Sequence, residues 1–232
     1  MNQKRGQGTG AGGRGMAEEN PSPRTGSQLP AHALIIGTAF EEEARGRGYR
    51  LVAGLDEVGR GALAGPVVAA AVILHSDAPL PEGLNDSKKL SAAQRERIAK
   101  ELRETVVAFA IGIVSPEEID RTNILIATRR AMVEAFEQLN PRADFLLIDA
   151  LQLKECALPQ RAIIRGDSVS ASIAAASVIA KTFRDALMRD YDAQFPHYGF
   201  PAHVGYGTRA HLAALRAHGP CPIHRRSFRG AL

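Results

Sequence analysis

The residues best suited to chemistry in this 232-residue sequence stand early, where adjacent carboxylates Asp56 and Glu57 are followed by Gly59-Arg60-Gly61 between two apolar runs of strand character. Charge and bare backbone occur there where a buried sheet predicts neither. Neighbouring carboxylates at the end of a buried strand repel each other and destabilise the fold unless a cation lies between them. Mg²⁺ or Mn²⁺ is the natural cation, because hard divalent ions take carboxylate oxygens, keep several waters and are completed by substrate phosphate. Gly59 and Gly61 lack a Cβ, so the backbone of a polyanion can approach, and Arg60 offers a planar fork of donors between them. The plain alternative is a tight turn with solvated carboxylates and glycines at positive φ. Local chemistry points to phosphate.

Two more carboxylates fit the same pattern. Asp144-Phe-Leu-Leu-Ile-Asp149 is a strand that delivers Asp149 at its carboxyl end, where mixed α/β sheets gather ligands. A turn or cap role for Asp149 is the local alternative. Asp167 stands in Gly166-Asp167-Ser168, just ahead of the best-defined helix, where an N-cap belongs and where capping alone would explain it.

The elements that must position these side chains follow from periodicity and punctuation. Ser91 with Gln94 three residues on is a capping-box pattern, predicting a helix from Ser91 through Ile98 and Leu102. Val106–Val114 reads as a strand closing against Ser115-Pro116-Glu117-Glu118, a strong helix start. That helix keeps apolar spacing at Ile124, Ala127, Ala131, Ala135 and Leu139 until Asn140-Pro141. Arg161–Arg165 is a short strand. In the helix after Asp167, Val169, Ile173, Ala176, Ala180, Phe183 and Leu187 form one apolar stripe, leaving Ser170, Ser177, Lys181 and Arg184 on other faces. From Tyr191 the character changes: aromatic, glycine and basic residues interleave, a short helix runs from Thr208 to His218, and Arg225-Arg226-Ser-Phe228-Arg229 follows. Aromatic rings there can pack on a sugar or base and arginines can hold phosphates.

The domain organisation expected is a disordered Gly-rich basic tail over residues 1–30, a catalytic domain over 31–190 and a helical, basic substrate-binding segment over 191–232. A short helix is expected between Ala31 and Gly46. A net charge of +4 allows a polyanionic partner without demanding one. Two cysteines, Cys156 and Cys221, make neither a four-ligand zinc site nor a disulfide framework and suit a reducing cytoplasm. No apolar run is long enough to span a membrane, and the glycine-rich start lacks a secretory h-region.

Asp56-Glu-Val-Gly-Arg-Gly61, continuing into Leu63-Ala-Gly-Pro-Val-Val68, resembles the opening motif of the type 2 ribonucleases H, bacterial ribonuclease HII. Asp86-Ser-Lys-Lys-Leu90, Leu147-Ile-Asp149, Gly166-Asp167 with the Ser-x-Ser-Ile-Ala-Ala-Ala-Ser block that follows, and Gly205-Tyr206-Gly-Thr208 are similar to further family blocks, in order from about Leu51 to Phe228. The resemblance implies a ribonuclease H-like α/β fold: a mixed β-sheet flanked by helices, with a small helical C-terminal appendage. It implies that Asp56, Glu57, Asp149 and Asp167 are the catalytic, metal-binding carboxylates. It gives Gly59, Arg60, Gly61, Tyr206, Ser170 and Lys181 to substrate binding, with Tyr206 at the RNA–DNA junction and Gly59-Arg60-Gly61 reading the ribose 2′-hydroxyl. It places the Asp86–Leu90 loop near the cleft. Val204 departs from the pattern, since lysine is expected before this glycine; the loss of one phosphate contact would weaken binding before it changed chemistry.

The activity implied is hydrolysis of the RNA strand of RNA–DNA hybrids and cutting at ribonucleotides embedded in duplex DNA, leaving 5′-phosphate and 3′-hydroxyl ends. Two Mg²⁺ or Mn²⁺ ions roughly 4 Å apart would serve, one activating water and one stabilising the leaving oxygen. A cytoplasmic monomer is expected, with a sliding-clamp partner left open. Three other readings compete: a type 3 ribonuclease H, which would lack arginine between the two glycines and carry a folded N-terminal domain; a non-catalytic hybrid binder; and a glycosidase-like acid/base pair. Neighbours on one strand point to opposite faces, which suits the last poorly.

Overall fold

The two apolar runs that flank the acidic pair form β1 (Val52–Val58) and β2 (Val67–Ile73), an antiparallel pair in which Asp56 lies opposite Ala70 and Glu57 opposite Ala69. Every residue of β2 is buried, so both sheet faces must be covered. The computed structural model describes residues 36–154 and 156–231. The tail expected over residues 1–30 lies outside the described residues.

Three further strands complete one mixed sheet in the order β3-β2-β1-β4-β5. They are β3 (Ala108–Val114), antiparallel to β2, and β4 (Phe145–Asp149) and β5 (Gln160–Ile163), parallel to β1 and to each other. The parallel run sets the carboxyl ends of β1, β4 and β5 along one edge. Side chains alternate between faces as the strand period requires. Val67, Ala69, Ala71 and Ile73 join Leu55, Leu146 and Ile148 on one side, while Val68, Ala70 and Val72 turn to the other.

On the first side lies α4 (Ile124–Glu137), through Ala127, Ala131, Met132 and Ala135. On the second lie α2 (Ala92–Thr105), through Ile98 and Leu102, and the 24-residue α5 (Ala171–Gln194). Two glycines set how closely these layers approach. A Cβ on Gly54 of β1 would stand 2.1 Å from the carbonyl carbon of Ser172, and one on Gly112 of β3 would stand 2.0 Å from the carbonyl oxygen of Ala131. α5 therefore lies directly on β1, beside the acidic pair. This is the α/β architecture expected, a mixed sheet flanked by helices.

Local rules account for most helix boundaries. The capping box at Ser91 is formed, with the Ser91 hydroxyl accepting from the Gln94 N–H and the Gln94 side chain accepting from the Ser91 N–H. Ser115 caps as expected, but the helix it starts, α3 (Pro116–Arg121), stops at Thr122. Asn123 then starts α4 by accepting from the Ile126 N–H, so the single helix expected over this region is two. Upstream, α1 (Ala39–Gly46) is the short helix expected there. Among the described residues, contacts gather those from 36 onward into one unit, and α5 runs unbroken past residue 190.

The C-terminal residues fold around a smaller core. α6 (Phe200–His203) and α7 (Arg209–His218), with Tyr198, Phe200, Leu215, Cys221 and Ile223, pack on Met188 of α5 and on Leu63 and Ala64 of the loop between β1 and β2. Tyr198 and Phe200, expected among the aromatics available to bases, are buried there. Among the described residues no helix is long and apolar enough to cross a membrane.

Candidate active site

The four carboxylates meet at the shared edge of the parallel strands. β1 brings Asp56 and Glu57 to its last turn of ladder, and the register Leu55↔Ile148 sets Asp149 beside Asp56. β5 then passes through Ile164 and Arg165, the latter at φ 56°, into a one-turn 3₁₀ helix, Gly166–Ser168, that carries Asp167. Asp149 fixes this turn by accepting the Gly166 N–H through Oδ1 at 2.8 Å. Asp167 is not the cap of α5. Ser170 is, accepting from the Ile173 N–H, so Asp167 is set free of helix capping and stands over the sheet edge.

Charge is under-compensated at this edge. Burial, then the charges of Glu57 and Asp149, hold the Asp56 carboxyl well above the usual range, against hydrogen bonds from the Ser177 hydroxyl and the Glu57 N–H. Burial also raises Glu57, opposed by Arg60, whose Nη1 lies 3.1 Å from Glu57 Oε1. Asp149 is raised by burial and by Asp167, against the Gly166 N–H. A second cation, besides Arg60, is Lys88, with Nζ 3.1 Å from Asp167 Oδ2. Burial pulls the Lys88 ammonium down, yet the hydrogen bond and charge of Asp167, helped by Asp56 and Asp86, push it up to about 12.

The donor set fits a hard divalent cation. It consists of carboxylate oxygens only, and Glu57 Oε2 is buried with no hydrogen-bond partner. Among the described residues no three acidic, His or Cys side chains are grouped closely enough to hold one ion by themselves.

The residues expected to bind substrate divide into two sets. Gly59, Arg60, Gly61 and Tyr206 are brought together at the rim. Tyr206 is 36% exposed, and its ring edge is 3.8 Å from where a Gly61 Cβ would stand. Gly59 is glycine for a further reason: its φ is +90°, and a Cβ would meet Arg184 Nε at 2.3 Å. Ser170 and Lys181 stand elsewhere. Ser170 is fully buried, its hydroxyl donating to Glu41 Oε1 at 2.6 Å, and the Lys181 ammonium is paired with Asp185 at 2.6 Å.

Several working residues were not assigned from sequence. Lys88 lies in the Asp86–Leu90 loop already placed near the cleft, and Ser177, counted among the polar faces of α5, lowers the Asp56 carboxyl while its hydroxyl shares a buried bond with Ser87 at 2.9 Å. Arg184 is fully buried rather than facing solvent. It donates to the carbonyls of Pro66, Val204 and Ala64 at 2.9, 2.9 and 3.0 Å, with its guanidinium carbon 5.8 Å from the centre of the Tyr206 ring. Its spacing by four between Ala180 and Met188 on a buried face was the available signal. Arg225 is also buried, donating to the Gly65 and Arg60 carbonyls, so this arginine of the C-terminal cluster holds backbone and not phosphate.

Comparison with known proteins supplies the decisive observation: the sequence model of the family described as Ribonuclease HII matches residues 53–231. The chain belongs to the ribonuclease HII family. A family relative, the ribonuclease HII of Ruminiclostridium cellulolyticum, is 52% identical over 190 residues, covering 82% of this chain and 74% of that protein. Among solved structures, the ribonuclease H2 of Pyrococcus horikoshii OT3 is similar at 25% identity and a TM-score of 0.66, over 78% of this chain and 95% of that one. The ribonuclease HII of Archaeoglobus fulgidus, solved in a complex with PCNA, is similar at 26% identity and a TM-score of 0.66, over 76% of this chain and 92% of that one. Family membership makes the chain a metal-dependent endoribonuclease of the ribonuclease H class, and with it the type 3, non-catalytic and glycosidase-like readings fall away.

Proposed function

We propose that this chain hydrolyses the RNA strand of RNA–DNA hybrids and cuts at ribonucleotides embedded in duplex DNA, leaving 5′-phosphate and 3′-hydroxyl ends. The observation that carries the proposal is the union, along one sheet edge, of four carboxylates with a rim built from Gly59-Arg60-Gly61 and Tyr206. Asp56, Glu57, Asp149 and Asp167 are the residues that would hold Mg²⁺ or Mn²⁺. Such ions, when bound, supply a nucleophilic water at neutral pH and offset the charge of the reacting phosphate.

The chain's own groups do the rest. Asp56 and Asp149 are fixed by the Glu57 N–H and the Gly166 N–H, so the carboxylates are set before substrate arrives. Lys88, held at Asp167 without substrate, carries a positive charge that a scissile phosphate can take over. The Gly59–Gly61 backbone meets the ribose 2′-hydroxyl, the group that distinguishes RNA from DNA, and the half-exposed Tyr206 ring packs on the sugar at the junction. Arg60, 44% exposed at its side chain, is available to a flanking phosphate once it leaves Glu57. The chain is proposed to act as a monomer in the cytoplasm. The PCNA complex of the Archaeoglobus protein motivates a co-elution test for a sliding-clamp partner.

The test compares labelled duplexes with and without Mg²⁺ or Mn²⁺: DNA with one embedded ribonucleotide, an RNA–DNA hybrid and plain DNA. Metal-dependent cuts 5′ to the embedded ribonucleotide, with plain DNA intact, are expected. Cutting of the hybrid alone would remove the junction-reading role, and cutting of plain DNA would remove 2′-hydroxyl recognition.

A further inference from the structure

Beneath Tyr206, three histidines on the C-terminal side of the fold are buried without any carboxylate partner. His203, His211 and His224 are 6%, 0% and 2% exposed, and the rings of His203 and His211 stack with centres 4.4 Å apart. Their shortest hydrogen bonds set one tautomer for each ring, the Cys221 N–H at 2.9 Å taking precedence at His224 Nδ1 over the Cys221 Sγ at 3.1 Å and carbonyl at 3.3 Å. A backbone N–H can only donate, so the Cys221 N–H at 2.9 Å makes His224 Nδ1 an acceptor and places the His224 proton on Nε2. That N–H points at His211 Nε2, 3.0 Å away, which must accept. His211 then carries its proton on Nδ1 and donates it to the Tyr206 carbonyl at 3.0 Å. His203 accepts the Gly205 N–H through Nδ1 and donates through Nε2 to the Tyr198 carbonyl, closing the same loop from its other side.

We propose that His211 and His224 are positioning residues for Tyr206: a one-way relay from the Cys221 N–H through His224 and His211 holds the Tyr206 backbone, and so aims its ring at Gly61. The inference rests on the substrate role given to Tyr206 above. None of these imidazoles reaches the four carboxylates' hydrogen-bond partners, so the relay acts on recognition and leaves the hydrolytic centre to Asp56, Glu57, Asp149 and Asp167. Packing alone would fill the space equally well with apolar side chains. The alternation of donor and acceptor along three consecutive bonds is what packing does not require.

Substitutions at His211 separate the two halves of the ring. His211→Gln carries an amide toward the Nε2 position and leaves the Tyr206 carbonyl without its side-chain donor; His211→Asn carries an amide N–H to the Nδ1 position and keeps it. On DNA with one embedded ribonucleotide, His211→Gln is expected to raise KM about tenfold with kcat within twofold, and His211→Asn to recover most of that loss. In a Tyr206→Ala background, His211→Gln should add nothing. If Tyr206→Ala itself leaves cleavage of that duplex unchanged, the reading of Tyr206 fails and the relay's purpose with it. If Tyr206→Ala raises KM but His211→Gln does not, or if the two changes multiply, the relay alone is overturned. Imidazole ¹⁵N shifts of the unmutated protein provide a check independent of variant folding: His224 must be protonated on Nε2 and His211 on Nδ1, and the opposite tautomer in either ring refutes the relay.

Discussion

Replacing Arg184 by methionine probes how far the recognition rim depends on a cation that never meets solvent. The guanidinium donates three hydrogen bonds to the carbonyls of Ala64, Pro66 and Val204, which belong to the β1–β2 loop and the segment after α6. Methionine fills most of the space and leaves three carbonyls in a dry site without that donor, each worth about 1–3 kcal/mol. Removing a buried charge that has no carboxylate partner gives back several kcal/mol. The net loss expected is about 4 kcal/mol, which for a domain of this size lowers the thermal midpoint by roughly 8–16 °C. Tyr206 also loses the cation over its ring, so KM for a ribonucleotide-containing duplex should rise while kcat on the fraction still folded holds. Arg184→Lys keeps the charge but not the planar fork, and should restore no more than about half of the stability. Thermal and urea unfolding followed by circular dichroism, with kinetics at 25 °C, measure both effects. A midpoint within about 3 °C of the parent, with KM unchanged, would refute the claim that Arg184 ties these loops together.

Three other expectations concern the carboxylates and the buried histidines. Asp149→Asn should reduce cleavage at least about a thousandfold in single-turnover assays while duplex binding, followed by anisotropy, is retained; undiminished cleavage excludes Asp149 as a metal ligand. Adding Mg²⁺ or Mn²⁺ should raise the thermal midpoint of the parent and EDTA should reverse it, whereas the Asp56→Asn/Asp149→Asn double variant should show little response in the same calorimetric scan. Burial, His211 and His203 hold His224 down at about 4, against an unfolded value near 6.5, so the unfolded chain binds the extra proton first. Its contribution is complete above pH 6.5 and is lost as pH falls toward 4, up to about 3 kcal/mol in urea unfolding. Facing His224 are Cys221, Tyr198 and His211, with Arg225 adjacent in sequence, and a His224→Gln variant should flatten this part of the profile.

Much of this site was legible because its residues break local patterns. A charged pair at the end of an apolar run, and an aspartate closing Phe-Leu-Leu-Ile, are costly unless a sheet edge and a cation use them, so Asp56, Glu57 and Asp149 stood out. Capping chemistry is equally local, and Ser91 and Ser115 started helices as their neighbours required. Asp167 and Ser170 show where local reasoning runs out. Both are good caps in sequence, and only the bond from Gly166 to Asp149 decides that the backbone turns once before α5 begins. Beyond the spacing of Arg184 in α5, nothing local marks it or Arg225 as buried: apart from Val204, their partners are carbonyls more than a hundred residues away, which no window of sequence contains. The break between α3 and α4 at Thr122-Asn123 was hidden because apolar spacing resumes beyond it nearly in phase.

The order of strands in the sheet also determines when the charges meet. β1 and β2 are consecutive in the chain and pair as an antiparallel hairpin closed by one short loop, and β3 joins β2 after the intervening α2. β1 and β4, by contrast, pair in parallel across some ninety residues, a closure with a larger entropic barrier. Closing that pairing is what brings Asp149 and Asp167 to Asp56 and Glu57, so the repulsion between the two pairs belongs to the step that completes the sheet. Folding speed and hydrolytic competence are coupled through that single pairing. A divalent ion that bridges the carboxylates will act chiefly on the rate at which β4 departs from β1, lengthening the lifetime of the assembled edge and leaving the β1–β2 hairpin untouched.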